Sequence, residues 1–150
     1  MAKPLPWPAI HRLEVAEDYP AAIDALEARL SADPHDAEAV TRLGFNLWFA
    51  VVENDRMQKA LPVQGYAERF MELFSIYRDR LSDCTDFCWA FGLGMSMFWY
   101  YFPKATEGEG NRLLHRARTL DPFWARLLKP GADLTRLKDR GIFAKYYNVS

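Results

Sequence analysis

The stretch FCWAFGLGMSMFWYYF, residues 87–102, decides the fold, because it holds no charge and a single hydroxyl before its two closing tyrosines. A helix rises about 1.5 Å per residue, so this stretch spans roughly 24 Å, less than the ~30 Å hydrocarbon core of a bilayer. Asp83 and Asp86 precede it, and no cluster of Lys or Arg flanks it. We therefore predict the buried central helix of a soluble protein rather than a membrane span.

Small side chains recur at every fourth position of this region and share one helical face: Cys84, Cys88, Gly92 and Ser96. Bulky side chains form a stripe beside them: Phe87, Phe91, Met95 and Trp99. Each glycine in a helix costs about 1 kcal/mol relative to alanine. That cost is tolerable where another helix packs closely, so we expect a close neighbour against the small face.

The same residues do not form a recognisable chemical site. Zinc usually takes four nitrogen or sulfur ligands, whereas the sequence offers two thiols and three histidines outside any ligand motif. The GLG of residues 92–94 lacks the third glycine of a dinucleotide-binding loop, where Met97 stands instead. No metal and no cofactor are expected. Without a phosphate-binding loop or a nucleophile motif, we do not expect an enzyme.

Composition favours one intracellular domain over residues 1–150, since half of the residues are hydrophobic. Two cysteines do not make a secreted disulfide framework, and the first residues, MAKPLPWPAIHRLE, lack the apolar run of a signal peptide. A cytoplasmic location is expected.

Hydrophobic spacing predicts an all-α fold of six to seven helices arranged as helical hairpins, with no stretch that demands a sheet. Prolines 4, 6 and 8 suggest an irregular N-terminal arm over residues 1–19. Helices are predicted over about 20–30, 36–53 and 64–81, then the central helix, then one that begins with the capping box of Thr106 and Glu109. A short sixth helix follows at DPFWARLL, and a seventh, ADLTRLKDRG, is predicted to end at Gly141. The tail 141–150 is expected to pack on the domain.

The segment DPHDAEAVTRLGFNL, residues 33–47, resembles the tetratricopeptide repeat at the junction between two helix pairs. Pro34, Val40, Leu43, Gly44 and Leu47 occupy the family's positions, and NRLLHRARTLDP is a second, weaker match. The resemblance covers about a third of the chain, and its two Asp-Pro turns are not separated by a multiple of the repeat length. It implies a compact helical array that binds a protein or peptide.

The second predicted helix carries the candidate partner-binding residues. Apolar side chains line two of its faces, and the resemblance places the second face in a ligand-binding groove. The candidates there are Glu38, Thr41, Arg42, Phe45, Trp48 and Phe49. The alternative is that both apolar faces are buried between neighbouring helices, as in most helices that are apolar all round.

Charge is unevenly distributed along the chain. Residues 1–110 contain 10 Lys/Arg and 17 Asp/Glu, whereas residues 111–150 contain 9 and 3. Such asymmetry can steer an oppositely charged partner, with Asp24 and Glu27 as candidate acidic contacts. The alternative is that the two parts face each other within the fold. Nucleic-acid binding through the basic C-terminal segment is a remote alternative, since its basic residues lack interleaved aromatics.

These observations predict a protein-binding module. In size, helical-hairpin pattern and the terminal RGIFAKYYNV, the chain loosely resembles small bacterial immunity proteins. That resemblance implies stoichiometric neutralisation of a cognate toxin by occlusion of its active site. The alternative is a tetratricopeptide-like adaptor or chaperone that binds a short peptide segment.

Overall fold

Helices connected by short turns make up this chain, for which a computed structural model describes residues 3–150. The α-helices are α1 (Trp7–Val15), α2 (Tyr19–Ala32), α3 (Ala37–Arg56), α4 (Tyr66–Tyr77), α5 (Thr85–Phe98), α6 (Glu107–Leu120), α7 (Pro122–Arg126) and α8 (Ile142–Tyr146). Short 3₁₀ turns span Trp99–Tyr101 and Thr135–Leu137. The described residues contain no β-strand, so the all-α prediction is confirmed.

Side-chain caps explain where several helices begin. Asp18 Oδ1 accepts a hydrogen bond from the Ala21 N–H at 3.3 Å, at the start of α2. Thr106 Oγ1 accepts from the Glu109 N–H at 3.1 Å and starts α6, as its sequence pattern predicts. The six helices predicted between residues 20 and 128 correspond to α2–α7 and agree with them to within a few residues, although α4 ends at Tyr77 rather than near residue 81.

Helices α3 and α5 interlock at the centre of the fold through two glycines. A Cβ atom on Gly44 of α3 would lie 2.2 Å from the Phe91 ring of α5. In the reverse direction, a Cβ atom on Gly94 of α5 would lie 2.7 Å from the Trp48 indole of α3. Trp48 Nε1 also donates a hydrogen bond to the Ala90 carbonyl at 3.0 Å. At each of these two glycines, therefore, an aromatic side chain of the other helix occupies the space that a side chain would fill.

Helix α6 is the close neighbour predicted for the small face of α5. A Cβ atom on Gly92 would touch the Leu114 side chain at 3.0 Å, and one on Gly110 of α6 would lie 2.2 Å from the Ser96 backbone nitrogen. Phe87, Phe91 and Met95 are fully buried. Trp99 departs from the predicted buried stripe, because α5 ends at Phe98 and the following 3₁₀ turn points outward.

The prediction of an irregular N-terminal arm is wrong for Trp7–Val15, which form α1. Pro8 falls in the first turn, where a missing N–H breaks no helical hydrogen bond. The Trp7 ring lies between two guanidinium groups, 4.0 Å from Arg29 and 4.5 Å from Arg42. Tertiary contacts thus stabilise a helix that the proline-rich sequence did not predict. Residues 1–2 of the predicted arm lie outside the described residues.

The C-terminal segment also differs from its prediction. Gly141 does not end a helix; it has a left-handed φ of +57° and precedes α8. In place of the predicted seventh helix the chain forms the short 3₁₀ turn Thr135–Leu137. Ile142, Phe143 and Ala144 are buried against the rest of the protein, with α8 contacting α1 and α3.

Within residues 3–150, no helix is both long enough and apolar enough to cross a bilayer.

Two glycines of α6 test the close contact with α5. We expect Gly110→Ala to destabilise the protein by roughly 1–3 kcal/mol, since the added methyl group would meet backbone rather than a movable side chain. Gly108→Ala is the matched control, because nothing lies within 4 Å of its Cβ position. It should be neutral or slightly stabilising in chemical denaturation. Equal midpoints for the two variants would contradict the close packing.

Candidate protein-binding surfaces

The predicted groove on α3 is wrong for its central residues. Phe45 and Trp48 are 0% exposed, and Thr41 and Arg42 are also buried. Helix α8 covers this face: the Phe45 ring lies 5.1 Å from Phe143, measured between ring centroids. The alternative, in which both apolar faces of α3 are buried, describes the structure. Two sequence candidates keep partial exposure, Glu38 and Phe49.

Arg42 belongs to a closed polar cluster that joins α1, α3 and the C-terminal segment. Its guanidinium pairs with the fully buried carboxylate of Glu14. The other carboxylate oxygen, Oε2, accepts hydrogen bonds from Asn46 Nδ2 at 3.0 Å and from the Ile142 N–H at 2.8 Å. Glu14 therefore neutralises a buried arginine and caps the start of α8. With Glu14 completely shielded from solvent, this cluster has a structural role.

Gly141 fits against the Glu14–Arg42 pair for two reasons. Its φ of +57° disfavours other residues, and a Cβ atom there would lie 2.1 Å from Glu14 Oε1. Its N–H donates to His11 Nδ1 at 2.8 Å. This glycine is thus required both by backbone conformation and by space.

Glu38 links α3 to the C-terminal segment through Arg140. Arg140 Nη2 donates to one Glu38 oxygen at 2.6 Å and Arg140 Nε to the other at 3.1 Å. Burial raises the pKa of the Glu38 carboxyl, but the hydrogen bonds and charges of Arg140 and Arg42 outweigh it. The net pKa of Glu38 lies below its ordinary value.

The opposed charges of residues 1–110 and 111–150 are partly paired within the fold: five of the nine basic residues of the second part form a salt bridge with an acidic residue of the first. Arg136 Nη2 contacts Asp86 at 3.3 Å, and Arg140 contacts both Asp86 and Glu38. Arg116 pairs with Asp83 at 2.5 Å. Two arginines of the candidate nucleic-acid segment RLKDRG, Arg136 and Arg140, are therefore engaged internally.

The two acidic candidates on α2 differ in their surroundings. Glu27 receives a two-pronged contact from Arg69 of α4, with distances of 2.8 and 2.7 Å. Asp24 is exposed. Among the described side chains, Glu27 forms a salt bridge with Arg69, whereas Asp24 forms none.

Both cysteines are free thiols at the start of α5. Burial raises the pKa of Cys84, and it raises the pKa of Cys88 to about 11. Thiols in this state are poor nucleophiles at neutral pH.

A surface that sequence reasoning missed lies where α5 ends. We call Arg56, Met57, Met97, Trp99 and Tyr100 the aromatic end. Met57, Trp99 and Tyr100 are 64%, 42% and 54% exposed. Arg56 Nη2 donates to the Tyr100 hydroxyl at 3.2 Å, which connects the end of α3 to the turn after α5. The Trp99 and Tyr100 rings lie 5.8 Å apart, measured between centroids, and Met57 directly follows Arg56 in the chain.

The aromatic end escaped prediction because Met97, Trp99 and Tyr100 belong to the apolar stretch that was predicted to be buried. One signal was present: three consecutive aromatic residues with a polar atom, Trp99, Tyr100 and Tyr101, stand near the end of the stretch, separated by one residue from Pro103. Aromatic residues with a polar atom suit a surface that is partly wet.

A second concave surface runs between α4 and α6. We call it the α4–α6 groove. It consists of two adjoining hollows of about 390 and 380 Å³ that share Phe74, Arg78 and Glu109. Cys88 of α5 lies in the floor of the second hollow. The residues that line the second hollow thus come from three helices, α4, α5 and α6, and from the turn that follows α4.

No family model matches the chain, and neither a curated protein nor a solved structure matches it at a significant level of similarity. The resemblances to tetratricopeptide repeats and to immunity proteins therefore stay predictions.

Two left-handed glycines test the polar cluster. We expect Gly141→Ala to destabilise the protein by about 3 kcal/mol or more, because the methyl group displaces the buried Glu14–Arg42 pair. Gly131 has a similar φ of +75° but open space around its Cβ position. Gly131→Ala should therefore cost about 1 kcal/mol, the backbone strain alone. Similar losses for both variants in urea denaturation would argue against the cluster.

Acid should weaken the Glu38–Arg140 contact. Because the folded pKa of Glu38 is lowered, the unfolded state binds more protons around pH 4 and below. The stability that the Glu38 carboxylate contributes is therefore fully present above the ordinary carboxyl pKa. It is lost as the pH falls through the lower pKa that Glu38 has in the folded protein. Glu38→Gln should show a shallower acid-dependent fall in melting temperature than the parent. Asp24→Asn, at an exposed carboxylate, should keep the parent's slope.

Proposed function

We propose that this protein is a protein-binding module that holds its partner at the aromatic end. The observation that supports this is the exposure of Met57, Met97, Trp99 and Tyr100 at the ends of α3 and α5, which the hydrogen bond from Arg56 to Tyr100 connects. Methionine, arginine and aromatic residues are enriched at protein interfaces, and Trp, Tyr and Arg dominate their binding energy. These side chains lie at the ends of two central helices, α3 and α5, and in the 3₁₀ turn that follows α5, so the backbone that presents them is already folded.

The buried polar and thiol groups of the protein support a binding role rather than a catalytic one. Glu14 is sealed by Arg42 and Asn46, and the cysteines have raised pKa values. In the part of the chain that the structure describes, no group of three or more His, Cys, Asp or Glu side chains could hold a metal ion. Free thiols suit the reducing cytoplasm, which we propose as the compartment.

In its more specific form the proposal is a bacterial immunity protein that occludes the active site of one cognate toxin. The aromatic end, with a tryptophan, a tyrosine and an arginine, suits a tight, stoichiometric contact. An adaptor or chaperone for short peptides is the second candidate, favoured by the α4–α6 groove, which is concave and partly apolar. One equivalent of an immunity protein abolishes its partner's activity, whereas an adaptor binds isolated peptides without inhibition.

Site-specific photo-crosslinking tests the aromatic end. A benzoylphenylalanine residue at position 100 should give one discrete adduct in the native host, which mass spectrometry identifies. The same residue at position 128 is the control, because Leu128 is 83% exposed but follows α7, which packs at the opposite end of α5. Adducts from position 128 but not from position 100 would contradict the assignment.

Affinity for the identified partner should depend on the same side chains. Trp99→Ala or Tyr100→Ala should each cost about 2 kcal/mol of binding free energy, mostly through faster dissociation. Both variants should melt near the parent temperature because these side chains are exposed. Calorimetry showing unchanged affinity for both would place the interface elsewhere.

A further inference from the structure

We propose that the basic half of the α4–α6 groove is a docking site for an acidic amphipathic segment of a partner protein. This inference rests on the second candidate function, peptide binding, and does not depend on the aromatic end.

Three arginines surround an apolar floor in this half of the groove. Arg78 comes from the end of α4, and Arg112 and Arg116 come from α6, while Phe74, Cys88 and Leu113 form the floor. The hollow has a volume of about 380 Å³. Guanidinium groups at the rim and an apolar floor together fit a ligand that carries both carboxylates and an apolar side chain.

The arginines retain hydrogen-bonding capacity for a ligand. Glu109 is shared between Arg78, at 3.3 Å, and Arg112, at 3.2 Å. Each guanidinium has five N–H donors, so one shared carboxylate leaves several of them free. Arg112 is 76% exposed, and Asp83, the carboxylate that pairs with Arg116, is 86% exposed. Carboxylates of a partner can therefore join or replace these exposed pairs.

The arrangement of α6 suits a helical ligand. Arg112, Leu113 and Arg116 follow one another at helical spacing in the wall that α6 contributes to the groove. Across the groove, the Arg78 guanidinium lies over the Phe74 ring, 4.9 Å from its centroid. Alternating basic and apolar contacts of this kind are those of an amphipathic helix bound in a groove.

A nucleic acid fits this surface less well than an acidic protein segment. Asp79 and Glu109 also line the hollow and would repel a continuous phosphate backbone. A protein segment can place separate carboxylates at the exposed Arg112 and Arg116 and an apolar side chain on the floor, without carrying a continuous row of charges past those two acids.

Fluorescence anisotropy with defined probes tests the proposal. The first probe is a short helical peptide with Glu and Leu at helical spacing, the second has Lys in place of each Glu, and the third is a duplex DNA. We expect the Glu peptide to bind, and the binding to weaken with salt. Arg112→Glu combined with Arg116→Glu should weaken it about tenfold or more. Arg126→Glu, at an exposed arginine outside the groove, should have little effect.

Four results would overturn the proposal: no binding of the Glu peptide, equal binding of the Lys peptide, tighter binding of DNA, or equal losses from the groove and control variants. Circular dichroism must show that each variant is folded; if the double variant unfolds, Arg112→Glu alone decides, because its side chain is 76% exposed. Tyr100→Ala should leave peptide binding unchanged. Failure of the groove and failure of the aromatic end are therefore distinguishable.

Discussion

The reciprocal contact between α3 and α5 is the constraint on which the rest of the structure depends. Gly44 accepts the Phe91 ring, and Gly94 accepts the Trp48 indole, so neither helix can shift along the other without a clash. The hydrogen bond from Trp48 to the Ala90 carbonyl fixes the same register with a directional contact. Core packing of this kind has few alternatives, since interiors are as dense as organic crystals. All other helices pack around this pair.

The Glu14–Arg42 pair adds a second constraint of a different kind. Burying both charges is costly unless further hydrogen bonds satisfy them, and here Asn46 and the Ile142 N–H supply those bonds. Because the bonded groups come from α1, α3 and the start of α8, the pair defines how both chain ends meet the central helices. The C-terminal segment thereby covers the aromatic side chains of α3 that would otherwise be exposed.

This covering explains why the aromatic side chains in the middle of α3 are inaccessible, whereas the end of the helix, at Arg56, belongs to the aromatic end. The two tryptophans Trp48 and Trp99 differ in burial. Trp48 is covered by α8, whereas Trp99 follows the end of α5 and is exposed to solvent. Likewise, Arg140 is engaged with Glu38 and Asp86, whereas Arg112 projects from the outer face of α6. Partner binding is thus expected at the aromatic end and in the α4–α6 groove, both outside the region that the repeat resemblance favours.

The sequence alone determined the fold class, most helix boundaries and the buried central helix, because hydrophobic periodicity, caps and small-residue spacing are local properties. Gly92 and Ser96 predicted a close helix neighbour, and Thr106 predicted the start of α6. The exposure of aromatic residues was decided only by the tertiary structure. Nothing near Phe45 in the sequence indicates that α8, about a hundred residues later, will cover it. The same holds for α1, whose proline-rich start is held by Arg29 and Arg42. Contacts between segments that are distant in the sequence determine which apolar side chains stay exposed and can bind a partner. Such contacts cannot be predicted from a local sequence pattern.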